Sequence, residues 1–194
     1  DVGGLWASQE VGNRWARERD RRVIECCLSY GVRFEQAPQN GVIQRLSNRD
    51  TWSKRWHNFM TGDVVTLNAQ QSGLLVRSDA RPCPSHFGLS SDHNPNIQRG
   101  GRARALELLT SFKKTRGQHY SREMSSPVTA FESCSRLSPH FAFGTVSVRE
   151  VFQNIQRKRD QLREDKSSSN ATWARSMSSF ASRLRWHCHF MQKF

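Results

Sequence analysis

Small hydroxyl side chains surround an arginine in the segment Ser133–His140, which reads Ser-Cys-Ser-Arg-Leu-Ser-Pro-His. Serine hydroxyls and free backbone N–H groups at a helix start donate hydrogen bonds, and a guanidinium can pair with two phosphate oxygens at once. The segment therefore predicts phosphate binding. Taken alone, the same residues fit an ordinary capping turn before a short helix equally well, so both interpretations stay open at this point.

The surroundings of this segment resemble the flavin-binding signature of the cryptochrome/DNA photolyase family. Residues 125–144 hold the Cys-Ser-Arg-Leu-Ser-Pro core of the signature, and Ser147–Val151 is similar to the helix start that follows it in the family. The resemblance implies a helical domain that binds FAD as its cofactor. The positions matching those that hold the FAD phosphate and ribityl region are Tyr120, Cys134, Ser135, Arg136, Leu137 and Ser138.

The last predicted helix, which contains Ser179–Phe190, resembles the aromatic helix beside the family's flavin and lesion pockets. The resemblance implies that Trp186 stacks on a flipped pyrimidine dimer, while the face it flanks contacts FAD. Ordinary helix packing would produce the same stripe without any ligand. Helical spacing puts four residues on that face, of which the first three are assigned to FAD: Phe180, Arg183, His187 and Phe190.

Two positions depart from the repair enzymes of the family. Arg183 stands where they commonly carry Glu, and arginine cannot accept hydrogen bonds from damaged bases as a carboxylate does. Phe180 stands in place of a Trp and lacks the indole donor. The resemblance implies light-driven repair of pyrimidine dimers by electron transfer from flavin, with damaged DNA as the partner. Arg183 favours one alternative, a non-catalytic cryptochrome photoreceptor that signals through a partner protein. An inactive fragment is the other alternative.

The chain divides by pattern into three regions, which together predict a mixed fold. An apolar run at Val2–Ser8, helical spacing from Val23 to Leu28 and a second strand candidate at Val32–Gln36 predict strand, helix and strand. The regions are the end of an α/β, Rossmann-like antenna-type domain (1–62), a long interdomain linker (63–99) and the first part of an all-α FAD-binding domain (100–194). The resemblance leaves open whether an antenna pigment of folate or deazaflavin type binds.

Two helices are bounded by recognisable residues before the chain reaches the signature. Asp50 predicts the N-cap of a helix that Gly62 closes. A further helix is predicted after Gly101, with Gly117 as its C-cap.

Two longer helices are predicted after the signature. Ser147 and Glu150 have the spacing of a capping box, and the helix they open is predicted to run to Glu164. Lys166–Asn170 predicts a polar loop before the last helix. That helical pattern reaches Phe194 without a stop signal, which favours a truncated chain.

Composition narrows the class of protein further. A formal net charge of +13 favours polyanionic partners such as DNA. No apolar run is long enough for a membrane span, and five scattered cysteines suit free thiols in a reducing compartment. We therefore expect an intracellular, cytoplasmic location and no membrane partner. Zinc is not supported, because Cys83, His86 and His93 do not supply four ligands at a recognised spacing, and neither does His187–His189.

Overall fold

Two parallel strands and the helix between them form the N-terminal part of the structure. The structure is a computed structural model, and it describes residues 2–66, 80, 82–90, 94–95, 97–165 and 167–193. Strand β1 (Gly4–Ser8) leads through helix α1 (Arg14–Ser29) to strand β2 (Arg33–Ala37). The strands pair in parallel from Gly4 with Arg33 to Ser8 with Ala37, and α1 provides the crossover that parallel pairing requires. The predicted order of strand, helix and strand is confirmed, whereas a larger Rossmann-like sheet stays a prediction.

Helix α2 (Trp52–Thr61) ends at Gly62, as the sequence predicted, but its predicted N-cap was wrong. Thr51 occupies the cap position, and its side chain makes no capping bond. The amide of Asp50 instead donates to the side-chain oxygen of Asn48 at 2.7 Å, so a local turn holds Asp50 outside the helix. The indole of Trp56 packs edge-on against Phe152, with 5.0 Å between ring centroids. Helix α2 therefore joins the core formed by the C-terminal helices.

Six helices follow in the C-terminal part of the described chain. The last two of them, α7 (Val148–Glu164) and α8 (Ser168–Lys193), pack along each other and supply more than half of the side chains in the buried core cluster. Short 3₁₀ turns lie at Pro84–Phe87 and Arg116–His119. The helices are α3 (Arg102–Lys114), α4 (Tyr120–Glu123), α5 (Ala130–Ser133), α6 (Ser138–Ala142), α7 (Val148–Glu164) and α8 (Ser168–Lys193). No helix among the described residues is both long and apolar enough to cross a membrane.

The sequence assigned Gly117 the wrong role. Helix α3 ends earlier, with Thr115 as its C-cap, and Gly117 does not have a left-handed backbone. Gly117 is buried, and a Cβ atom there would lie 2.7 Å from the carbonyl oxygen of Phe112 and 2.9 Å from Cε of Met177. Glycine is needed here because the chain passes too close to the core for a side chain.

One of the two hydrogen bonds of the predicted capping box of helix α7 is confirmed. The Ser147 hydroxyl accepts from the amide of Glu150 at 3.0 Å, and the helix ends at Glu164 as expected. The Glu150 carboxylate instead accepts two bonds from Arg102 of α3, at 2.8 and 2.9 Å. The predicted loop Lys166–Asn170 was too long, because α8 begins at Ser168, and Lys166 itself lies outside the described residues.

Candidate functional site

A cavity of about 440 Å³ lies between the segment that joins α5 to α6 and the C-terminal half of α8. Its volume is within the range of about 300–1,000 Å³ that is usual for ligand sites. Of the nine residues predicted to bind FAD, eight line this cleft and Leu137 does not. The lining residues are Gln98, Tyr120, Cys134, Ser135, Arg136, Ser138, Pro139, Phe141, Phe180, Arg183, Leu184 and His187.

The segment between α5 and α6 has an unusual backbone at Arg136. This residue has a left-handed φ of 63°, a conformation that costs a non-glycine residue free energy and persists only where its surroundings hold it. Its carbonyl accepts from Nε2 of Gln98 at 2.6 Å, and its guanidinium lies 3.9 Å above the ring centroid of Phe131. The next residue, Leu137, is fully buried in the core. Leu137 therefore fixes the segment to the core, while its neighbours Arg136 and Ser138 line the cleft.

Aromatic rings form the apolar wall of the cleft. The rings of Tyr120 and Phe180 meet edge to face at 5.5 Å between centroids, and Phe112 packs behind both at 5.6 and 4.7 Å. Burial raises the pKa of the Tyr120 hydroxyl to about 12, with a smaller opposing effect from Arg183. Tyr120 is therefore uncharged at neutral pH and can both donate and accept a hydrogen bond.

The charges that line the cleft are all positive. Arg136 and Arg183 line it, and none of the described lining residues is a carboxylate. Burial lowers the pKa of the His187 imidazole, so this side chain is neutral near pH 7. Burial also raises the pKa of the Cys134 thiol, although Arg116 and Arg136 oppose that rise. Hydroxyl donors, guanidinium groups and an aromatic wall together form a donor set suited to an anionic ligand with a flat ring.

Helix α8 divides its functional candidates between two cavities. Phe180, Arg183 and His187 line the cleft, but Trp186 and Phe190 line a second cavity of about 510 Å³. Phe190 lies about 20° from Arg183 around the helix axis, so it is on the predicted face, but it lines the second cavity and not the cleft.

The two cavities meet at one contact between a cation and an aromatic ring. The guanidinium carbon of Arg183 lies 4.5 Å from the ring centroid of Trp186, which is itself 46% exposed. The second cavity also has basic and aromatic walls. Its lining residues are Trp52, Ser53, Arg185, Trp186, His189, Phe190 and Lys193.

Of the candidate zinc ligands Cys83, His86 and His93, which the sequence analysis did not favour, only the first two lie among the described residues. Sγ of Cys83 lies 2.8 Å from Nδ1 of His86, but His93 lies outside the described residues. Within the described ranges, no three His, Cys, Asp or Glu side chains are grouped so as to hold a metal ion.

Sequence reasoning missed two residues that shape the cleft. Gln98 falls in the predicted linker, yet its side chain reaches the cleft and holds the Arg136 carbonyl. Arg116 lies behind the segment and bonds to its carbonyls. Both act on backbone atoms, and such bonds leave no residue pattern in a sequence.

Comparison with known proteins shows that part of the chain is similar to a photolyase. No family model matches the chain. The deoxyribodipyrimidine photo-lyase of Halobacterium salinarum is 28% identical over 116 residues, which is 59% of this chain. The match covers 23% of that relative's length. The chain thus has a photolyase-like relationship over this stretch.

Proposed function

We propose that this chain forms part of a photolyase-like flavoprotein and that its cleft binds FAD. One observation carries the proposal: eight residues, chosen from separate parts of the sequence by their resemblance to a flavin signature, line a single cavity. The photolyase-like relationship supports the same ligand class. The proposal extends to light-driven repair of pyrimidine dimers, with damaged DNA as the substrate.

The side chains of the cleft fit the parts of FAD by their chemistry. Ser135, Ser138 and Arg136 offer hydroxyl and guanidinium donors to the phosphates, and Arg183 adds a second cation. The Tyr120 and Phe180 rings would exclude water from one side of the ligand. When bound, FAD supplies the light-driven electron chemistry, and the protein supplies binding, orientation and exclusion of water.

A matched pair of arginines on α8 provides the test. Arg183 lines the cleft, whereas Arg185 lies outside it and donates to Oγ of Ser53 at 3.2 Å. Replacing either arginine by alanine removes one positive charge from the same helix. We expect the wild-type chain to retain a flavin absorption band after incubation with FAD and gel filtration. In a titration, R183A should weaken FAD binding by about tenfold, the loss of one charged hydrogen bond, and R185A should not.

Three results would count against this function. A wild-type chain that retains no flavin would overturn the claim that its cleft binds FAD. Equal losses in R183A and R185A would mean that the net charge, and not the cleft, attracts the ligand. If the flavin-loaded chain does not repair a dimer-containing oligonucleotide under blue light, repair by this chain is excluded, and the result favours the photoreceptor alternative.

One observation favours that alternative, a photoreceptor without repair activity. Arg183 places a cation against Trp186, where a repair enzyme would use a carboxylate to accept bonds from the lesion. In this alternative, photoreduction of the bound flavin would change a surface that a partner protein recognises. Flavin binding without light-dependent repair is the result expected from it.

An antenna pigment remains part of the proposal, with a different cavity as its candidate site. A cavity of about 860 Å³ includes residues that follow β1 and β2, among them Gly12 and Gln44. Ligands of parallel α/β sheets bind beyond the carboxyl ends of the strands, which is where this cavity lies. Its polar and charged lining suits a pigment that carries carboxylate or amide groups.

A further inference from the structure

Arg116, just after α3, uses every hydrogen-bond donor of its guanidinium. The group has five N–H bonds, and each of them has an acceptor in the structure. Nε donates to the Ser111 hydroxyl at 2.7 Å. Nη2 donates to the carbonyls of Leu108 at 3.1 Å and Ser135 at 3.4 Å. Nη1 donates to the carbonyl of Cys134 and, at 3.3 Å, to that of Glu132.

These five bonds join two parts of the fold. Two acceptors belong to α3, a helix anchored in the core by Phe112, and three belong to the segment that precedes the left-handed Arg136. The carbonyls of Cys134 and Ser135 point to Arg116, while both residues also line the cleft. A planar fork of donors can hold several oxygens in a fixed arrangement, which a lysine ammonium cannot do.

Arg116 also leaves a positive charge behind the cleft. No described carboxylate lies within ion-pair distance of it. Burial lowers the pKa of its guanidinium, but an arginine stays charged in proteins at neutral pH. The carbonyl dipoles and the carboxylate of Glu132, which lies beyond ion-pair distance, offset part of this charge. The remainder adds to the positive potential from Arg136 and Arg183 that an anionic ligand would meet.

We propose that Arg116 is a positioning residue of the cleft. It fixes the backbone at residues 132–135, so that the hydroxyls and the guanidinium that follow face the phosphates of the ligand. The link to FAD rests on the proposed function, whereas the effect on the segment can be tested without any ligand.

The test compares Arg116 with Arg149, a matched arginine elsewhere in the fold. Arg149 is also half-buried, donates to the carbonyl of Asp63 at 2.9 Å and lies 4.1 Å from the ring centroid of Phe59, outside the cleft. R116M and R149M each remove one charge and one set of backbone bonds. R116K keeps the charge and loses the fork, and it carries the test if R116M does not fold.

The first readout is hydrogen exchange in the unliganded chain, with urea unfolding as the measure of global stability. The amides of Ser133 and Cys134 donate to the carbonyls of Thr129 and Ala130 at 3.1 and 2.9 Å, so they report on the order of the segment. We expect these amides to exchange at least about tenfold faster in R116M, with only partial recovery in R116K. In R149M they should exchange as in the wild type. Unchanged exchange in R116M, or an equal change in R149M, would overturn the proposal.

The second readout is FAD affinity of the same variants. We expect R116M to bind FAD at least about tenfold more weakly than the wild type and R149M to bind within about twofold. Faster exchange with unchanged FAD affinity would show that Arg116 orders the segment without serving the cleft, which also overturns the proposal. If the wild type binds no FAD, the proposed function fails, and the exchange comparison still decides whether Arg116 fixes the segment.

Discussion

At the scale of single residues, His187 makes the stability of the cleft depend on pH. Burial holds the pKa of its imidazole below 6.5, and no described carboxylate lines the cleft to stabilise the charged form. The unfolded chain therefore binds this proton more readily than the folded chain. As the pH falls through the unfolded pKa of about 6.5, the free energy of unfolding drops, and this drop ends below the folded pKa.

We expect His187→Gln to remove part of this pH dependence. The wild type should lose stability as the pH falls below about 7.5, until the folded chain binds the proton as well, and the variant should lose less. Urea unfolding at several pH values measures the difference. His119→Gln, which changes an exposed histidine outside the cleft, is the control and should keep the wild-type slope. A wild-type slope in His187→Gln would mean that this imidazole is not buried as described.

The sequence could predict residues that act through their side chains but not those that act on the backbone. Tyr120, Arg136 and Arg183 were found because their types and spacing resemble a known signature, and the fold brings them to one cleft. Arg116 and Gln98 were missed, since a carbonyl oxygen accepts from any suitable donor and places no demand on the residue that carries it. The roles of such residues follow from the folded backbone and not from the residue types.

At the scale of elements, the junction between α3, α4 and α8 depends on the absence of a side chain at Gly117. A methyl group there would lie 2.7 Å from a backbone oxygen of Phe112, which cannot move freely, and 2.9 Å from Met177 of α8. The core at this point is already closely packed around Phe112. Added volume must therefore displace α8 or the 3₁₀ turn.

We expect Gly117→Ala to destabilise the chain by about 1–3 kcal/mol, the usual cost of overpacking. Because Phe112 also supports the aromatic wall of the cleft, the variant should weaken FAD binding as well. Gly100→Ala is a suitable control, since nothing lies within 4 Å of a Cβ at that position. Urea unfolding of both variants tests the expectation. Equal stability of Gly117→Ala and the wild type would contradict the close packing described at this junction.

Periodicity was a good guide to the long helices and a poor one to the short ones. Helices α7 and α8 were predicted because apolar residues such as Val151, Ile155 and Met177 recur at helical spacing, and all three are buried. Helices α4 and α5 have four residues each, too few for a period to show. These short elements set the direction of the segment around Ser135. For that reason the sequence identified the cleft residues without predicting the backbone that holds them.

At the scale of the whole molecule, the positive charge is concentrated in places. Lys113 of α3 lies close to its neighbour Lys114 and to Arg157 and Lys158 of α7, and burial and these three cations lower the pKa of Lys113. Lys158 also stacks over Trp173, with its Nζ 4.2 Å from the ring centroid. We name these four cations the α3–α7 basic patch. Crowded like charges are costly in the folded chain, and a bound polyanion would relieve that cost.

If DNA is a partner, its affinity should fall steeply with salt and should depend on this patch. Reversing two charges there, in Lys114→Glu/Arg157→Glu, should weaken binding and reduce the slope of log affinity against log salt by roughly 0.9 for each phosphate that is no longer neutralised. The control, Arg14→Glu/Arg22→Glu, makes the same change in net charge on exposed positions of α1. Fluorescence anisotropy with a labelled duplex at several salt concentrations measures both variants.

Equal losses would mean that net charge alone attracts DNA, and a wild type insensitive to salt would remove the electrostatic support for DNA as a partner. Weaker binding only in the variant of the α3–α7 basic patch would mean that the duplex lies across α3 and α7.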